Sequence, residues 1–293
     1  MTEKIVVGVV IRTLNESELL GTCLTALRDQ SGPFELDVLV VDSGSTDATI
    51  DIARAHGARV LEISPGDFDY STALNAGLAD VRGELALVLS AHAVPVGDDW
   101  LRRMTEPFTD PRVAGVACRQ VPWPDAPWQE VHRLRHQFPD SNRTFEGEAD
   151  VTFSNAASAI RLAVWRDEPF TLPAAEDVEW AQRVIRKGRT IVYTAGATVR
   201  HSHREGPRAQ ALRMIDLHRV LDDGQPPRSV WRTIREAGGF VVRDGRRIVA
   251  LDDQTAGRKL VHLAELVRMA CYYVVDFSRS GSTAERRRAG SAS

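Results

Sequence analysis

An α/β fold, built on a doubly wound, mostly parallel sheet flanked by helices, is predicted by three features of the chain. Short, almost wholly apolar runs recur at Ile5–Ile11 (IVVGVVI), Leu36–Val41 (LDVLVV) and Glu84–Pro95 (ELALVLSAHAVP), the pattern of strands buried on both faces. Segments with apolar residues at helical spacing lie between them, so strand and helix alternate. The runs end at small or polar residues, and in such sheets ligands sit in the crevice outside the carboxyl ends of the strands.

The first strand is β-branched, and the helix after it, Glu16–Asp29, gathers Leu19, Leu20, Cys23, Leu24 and Leu27 at helical spacing. A second strand at Leu36–Val41, a helix at Asp47–His56 stopped by Gly57, and a third strand at Arg59–Ile63 complete a β-α-β-α-β order with right-handed crossovers. After a loop at Ser64–Tyr70, a helix over Ser71–Arg82, closed by Gly83, leads into the central run. Trp100–Phe108 reads as helix and Val113–Val121 as strand. Pro122–Asp150 has no long periodic element and reads as a lid or substrate-facing insertion. Phe153–Val164 is a strand turning into another element, Glu176–Lys187 is a helix, and Ile191–Thr194 with Ala197–His201 are short strands. Helices at Pro207–Leu221, Val230–Glu236 and Thr255–Phe277, with a glycine break at Gly238 and Gly239, form a C-terminal helical appendage. The expected domains are 1–206, in halves of about 1–112 and 113–206, then a helical region 207–278 and a disordered tail 279–293 poor in hydrophobes.

Composition excludes several classes of function. With 293 residues, 43% hydrophobic and 26% charged, the chain is ordinary globular material for one large or two modest domains. Acidic residues (40) outnumber Lys plus Arg (37), so no global phosphate-backbone footprint exists and no nucleic-acid partner is expected. Cys23, Cys118 and Cys271 lie far apart without C-x-x-C spacing, against a disulfide framework or zinc knuckle and in favour of a reducing cytoplasm. No leader-like segment and no run of about 18 apolar residues is present, so a cytoplasmic protein without a membrane span is expected. Leu260–Phe277 is amphipathic enough for peripheral contact with the inner membrane face.

Chemistry-bearing residues share the strand-end address. Arg12-Thr13-Leu14-Asn15-Glu16 follows the first strand, and Asp42-Ser43-Gly44-Ser45-Thr46-Asp47 follows the second, before a helix whose N-terminus favours anions. Ser90-Ala91-His92 ends the central run. His201-Ser202-His203 ends the last core strand, with both rings pointing the same way at i and i+2. Glu176 and Asp177 open a helix, where a carboxylate also caps and complements the helix dipole.

These segments resemble family 2 glycosyltransferases of the GT-A fold. Asn15 and Glu16 match the family's x-x-N-E turn; Asp42, Gly44, Ser45, Asp47 and Thr49 match D-x-G-S-x-D-x-T; Ala73, Asn75 and Gly77 match A-x-N-x-G. The resemblance covers about Ile5 to His203 and looks most like bacterial rhamnosyltransferase-like members. It implies an inverting hexosyltransferase that takes a sugar from a dTDP-, UDP- or GDP-linked donor. The acceptor would be a sugar, lipid-linked or small-molecule hydroxyl, in surface polysaccharide or secondary metabolite synthesis. By position, Thr13, Asn15, Glu16, Asp42, Ser45, Asn75, Ser90, Ala91, His92 and Asn155 bind nucleotide or donor. Asp177 is then the general base, with Glu176 orienting acceptor or loop and Trp180 near the acceptor.

One departure stands out: Ser90-Ala91-His92 replaces the family's D-x-D, so a divalent cation, Mn2+ or Mg2+, is an open question. Imidazole suits manganese better than magnesium, with His92 as ligand beside His203 or, less favoured, His201. Two other readings remain at this stage. A nucleotidyltransferase making a nucleotide sugar would need a Gly-rich phosphate loop after the first strand, and residues 12–16 contain no glycine. A non-catalytic nucleotide-sugar-binding protein is suggested by the missing aspartates.

Overall fold

The structure, a computed structural model, describes residues 4–148, 150–203, 206–212, 215, 230–250 and 256–290. Two compact units emerge, one of residues 1–126 with 130–202 and one of residues 127–129 with 203–293. Both halves expected within 1–206 thus fall in one unit, and the helical unit begins at His203.

The first unit carries a nine-stranded sheet. Its strands are β1 (Ile5–Thr13), β2 (Phe34–Asp42), β3 (Arg59–Glu62), β4 (Leu85–Ser90), β5 (Val94–Val96), β6 (Val113–Val121), β7 (Arg143–Phe145), β8 (Ala157–Arg161) and β9 (Thr190–Arg200). Their order is β3-β2-β1-β4-β8-β6-β9-β5, with β7 paired to β9. β3, β2, β1 and β4 are mutually parallel, as the apolar runs predict. β8 runs antiparallel to both β4 and β6, while β6 and β9 are parallel, so the sheet is mixed beyond β4.

Alternation along β1 sends Val7, Val9 and Ile11 to one face and Val10 to the other. The first face packs under α1 (Leu20–Arg28), α2 (Thr49–Ala55) and α4 (Trp100–Thr105). The second packs under α3 (Tyr70–Asp80), α6 (Leu162–Asp167) and α7 (Glu176–Arg186). α3 lies very close: a Cβ at Gly77 would sit 2.6 Å from Val10 Cγ1 and 2.9 Å from Val41 Cγ2.

Several elements differ from expectation for local reasons. α1 starts at Leu20, after a turn in which the N–H groups of Leu19 and Leu20 both return to the Glu16 carbonyl at 3.2 and 3.0 Å. The central run breaks after Ser90, where the N–H of Ala93 turns back to the Ser90 carbonyl, and its last residues form β5 against β9. β9 is one strand instead of two, interrupted by a register shift between Cys118↔Thr194 and Arg119↔Thr198. The insertion holds a helix, α5 (Trp128–Gln137), and β7; the polar VHRLRHQF stretch buries only Leu134 and Phe138, four residues apart.

In the second unit, residues 207–212 are helical; the remainder of the helix expected over Pro207–Leu221 lies outside the described residues, Ile215 apart. α8 (Val230–Val249) runs straight through Gly238 and Gly239, where a break was expected. Its Ala237 and Ile248 are buried with Leu266, Met269, Ala270 and Tyr273 of α9 (Ala256–Gly290), and that packing outweighs about 1 kcal/mol per glycine. α9 extends to Gly290.

Candidate active site

The carboxyl ends of β1, β2 and β4 converge, with Thr13↔Asp42 and Arg12↔Ser90 as register partners. Thr13 Oγ1 donates to Asp42 Oδ2 at 2.9 Å. The chain then turns at Gly44, whose φ of +100° favours glycine. That turn folds the N–H groups of Gly44 and Ser45 onto Asp42 Oδ1 at 2.9 and 2.8 Å, and the Ser45 hydroxyl onto Oδ2 at 2.5 Å. Burial opposes ionisation of Asp42, but hydrogen bonds from Ser45, Thr13 and Gly44 more than offset it and hold the carboxyl below its ordinary range. Asn15, at a φ of +55°, straps the two turns together: its N–H donates to Ser45 Oγ and its Oδ1 accepts from the Thr46 N–H, both at 2.8 Å. Thr13, Asn15, Glu16, Asp42 and Ser45 therefore form one ledge.

β4 delivers the second cluster. The N–H of Ser90 is held by the Ala156 carbonyl at 3.0 Å, Ala91 is buried, and the turn brings His92 Nδ1 to 2.7 Å from Glu16 Oε1. The His92 ring stacks on His201, with centroids 5.0 Å apart and planes 11° apart. Buried His201 in turn places its Nδ1 2.8 Å from Gln120 Oε1 on β6. Carboxylate and amide oxygens only accept hydrogen bonds, so each Nδ1 is the donor in its contact. An outer oxygen that fixes the tautomer and raises ring basicity is the usual setting of a metal-ligating histidine, so this donor set fits a divalent ion. Nitrogen donors suit manganese better than magnesium. His201, ranked second in the sequence, is thus the ring that meets His92 within the first unit; His203 falls in the second unit.

The acids come from α7. Ala175 precedes them in the left-handed region (φ +56°), a conformation costing a non-glycine residue on the order of 1 kcal/mol. Asn155 holds both acids: its N–H donates to Asp177 Oδ2 and its Nδ2 to Glu176 Oε1, each at 3.2 Å. Asp177 Oδ1 also accepts from the Val178 N–H at 2.8 Å. Burial, and then the neighbouring Asp177 charge, push the Glu176 carboxyl up to about 7; burial also raises Asp177. Two adjoining carboxyl groups with raised affinity for protons are suited to accept one near neutral pH.

Three expected site residues have protein partners of their own. Trp180 is fully buried between Phe153 and Phe170, with its Nε1 donating to the Glu168 carbonyl at 2.7 Å, so no face is left for an acceptor sugar. Asn75 ties α3 to the segment after α6, donating to the Phe170 carbonyl at 2.8 Å and accepting from Trp165 Nε1 and the Phe170 N–H at 2.9 and 3.1 Å. Its side-chain amide is thereby held by protein partners. Asn155 is buried, and its side chain is bound to Glu176 and Ser158. Two residues were overlooked: Gln120, which fixes His201, and Arg12, whose charge reaches both acids. Arg12 carries its own signal as the charged residue in IVVGVVIRT.

Comparison with known proteins follows the same lines. Residues 8–164 match the family model described as Glycosyl transferase family 2. The chain is 28% identical over 223 residues to the O-antigen chain rhamnosyltransferase RfbN of Salmonella typhimurium, covering 72% of this chain and 70% of that protein. It is 30% identical over 190 residues to the O-antigen chain rhamnosyltransferase WbaN of Salmonella anatum, covering 61% and 60%. Among solved structures, the mannosyltransferase PcManGT of Pyrobaculum calidifontis, in complex with GDP-Man and Mn2+, superposes with a TM-score of 0.56 at 17% identity over 99% of this chain and 81% of that one. TarS of S. aureus (residues 1–349) gives 0.54 at 15% identity over 94% and 92%. Those likenesses bear on the fold, which is of GT-A type. With residues 8–164 of 293 matched, the chain belongs to glycosyl transferase family 2 and is a glycosyltransferase.

Proposed function

We propose that the chain is an inverting glycosyltransferase that moves a sugar from a nucleoside diphosphate to a hydroxyl acceptor, with Asp177 as general base. The observation that carries this reading is the pair of raised carboxyl groups held by Asn155 at the head of α7. The acceptor O–H gives its proton to Asp177 while its oxygen attacks the anomeric carbon. The bond from that carbon to the diphosphate breaks, and a single displacement inverts the centre. Asp42, Ser45, Asn15, Glu16 and Thr13 form the nucleoside side of the site, with Ser90, Ala91 and His92 beneath the diphosphate. A divalent ion held by His92 and His201 would supply positive charge to the departing diphosphate.

Rhamnose from a dTDP-linked donor is the favoured sugar, because two relatives are named rhamnosyltransferases; UDP- and GDP-linked hexoses are the alternatives in the test. A growing surface polysaccharide, met at the inner face of the membrane, is the favoured acceptor on the same ground. The test is a thermal-shift panel of dTDP, UDP, GDP and their sugars with and without manganese, paired with nucleotide release by Asp177→Asn. One nucleotide should raise Tm selectively, by mass action. Asp177→Asn should lose transfer by at least about a hundredfold while keeping that shift. Turnover like that of the wild type would remove Asp177 as the base.

A further inference from the structure

The charged residue of β1, Arg12, stands at the strand's carboxyl end, with Val41 of β2 and Ser90 of β4 as its register partners. Partners across a sheet share a face, and Val10, Leu39, Val41 and Val88 assign this one to the side covered by α3 and α7. Arg12 and Ser90 therefore project side by side at the crevice end of that face. They stand one position before the Thr13↔Asp42 pair that begins the ledge.

The guanidinium has an aromatic support and no counter-charge. Its carbon lies 4.5 Å from the centre of the Tyr70 ring, a cation–π contact. Tyr70 opens α3 and is itself fixed: its N–H donates to the Pro173 carbonyl at 3.2 Å, and Ser71 Oγ donates to the Leu172 carbonyl at 2.5 Å. Arg12 Nε is buried without a hydrogen-bond partner among the described residues, and no carboxylate among them comes within ion-pair distance. A guanidinium N–H kept buried and unpaired is costly, and an anion arriving from outside removes that cost. Position selects the anion. A nucleoside seated on the Asp42 ledge carries its phosphates past Arg12 toward Ser90 and, two residues on, His92.

We propose that Arg12, braced by Tyr70, is an anchor for the donor's diphosphate, its planar fork of N–H groups donating to the phosphate oxygens. The proposal deepens the reading of the site as one for a nucleoside diphosphate sugar and rests on it. Arg12 is the binding residue; Tyr70 positions it.

Inorganic pyrophosphate is the probe, because it carries the diphosphate without base or sugar. Its binding to the full chain is followed by calorimetry in EDTA, so that no ion at His92 and His201 contributes. Arg12→Gln should weaken binding by about tenfold or more, and Arg12→Lys, which keeps the charge and loses the fork, should recover part of the loss. Equal affinity in a folded Arg12→Gln chain, or no binding by the wild type, overturns the proposal. Should Arg12→Gln fail to fold, the 41% exposed Tyr70 supplies the deciding variant. With Tyr70→Leu, a fall of about threefold supports the proposal and an unchanged affinity overturns it. Arg12-dependent binding of pyrophosphate by a chain that responds to none of dTDP, UDP and GDP would sink the donor reading while leaving the diphosphate anchor standing, so the two failures are distinguishable.

Discussion

Glu176 is held at 3.2 Å by the Asn155 amide and is only 5% exposed, yet no cation pairs with it directly among the described residues. Its carboxyl titrates near 7 instead of its ordinary 4.5, so the folded chain binds this proton more tightly than the unfolded chain does. Stability from this group is therefore complete at low pH and is lost as pH rises from about 4.5 to about 7. Glu176→Gln keeps the Asn155 bond and removes the charge. Urea unfolding at pH 8 should show the variant more stable by on the order of 2 kcal/mol, with the difference vanishing near pH 4. A difference that stays flat with pH would contradict the shift. The same residue explains what was readable in the site. Asp42, Ser45, Glu16 and His92 announce themselves because a parallel sheet puts the residue after each buried run at the crevice. The burial of Trp180 does not, since a helix period says which face a residue occupies but not whether Phe153 and Phe170 close over it.

Two glycines show how elements use the same residue oppositely. At Gly77, α3 approaches β1 and β2 so closely that an added methyl meets Val10 and Val41. Gly77→Ala should cost about 1–3 kcal/mol, read as a lower urea midpoint at unchanged slope. At Gly238, inside α8, an added Cβ meets nothing within 4 Å. Gly238→Ala should gain about 0.5–1 kcal/mol through helix propensity, read as increased helix retention on heating; a loss would mean that the position contacts another surface. The pair also marks where sequence reasoning about elements stops. Strand–helix alternation through β4 follows from hydrophobic period alone. The bulge of β9, the helix within the insertion and the uninterrupted α8 depend on partners distant in sequence: β6 for the first, a buried Leu134 and Phe138 for the second, Tyr273 and its neighbours for the third.

For the whole molecule, net charge is −3, while α8 alone carries Arg232, Arg235, Arg243, Arg246 and Arg247 against Glu236 and Asp244. Charge is thus segregated, and so is apolar surface. Arg235, Val242, Arg246 and Val249 fall on one exposed face of α8, spaced seven, four and three residues apart, and α9 exposes Leu260, Val267 and Val275. No helix among the described residues is long and apolar enough to cross a membrane. Arginine interleaved with exposed aliphatic residues is instead the chemistry of an anionic bilayer surface, which attracts the charge and takes up the side chains to shallow depth. Co-sedimentation should accordingly show the chain on phosphatidylglycerol vesicles but not on phosphatidylcholine, with release as salt shortens the screening length. Arg235→Glu with Arg246→Glu should weaken association about tenfold or more, since each basic residue near such a surface contributes on the order of 1 kcal/mol. Equal sedimentation with neutral vesicles, or none with either, would assign these rows to protein contacts instead.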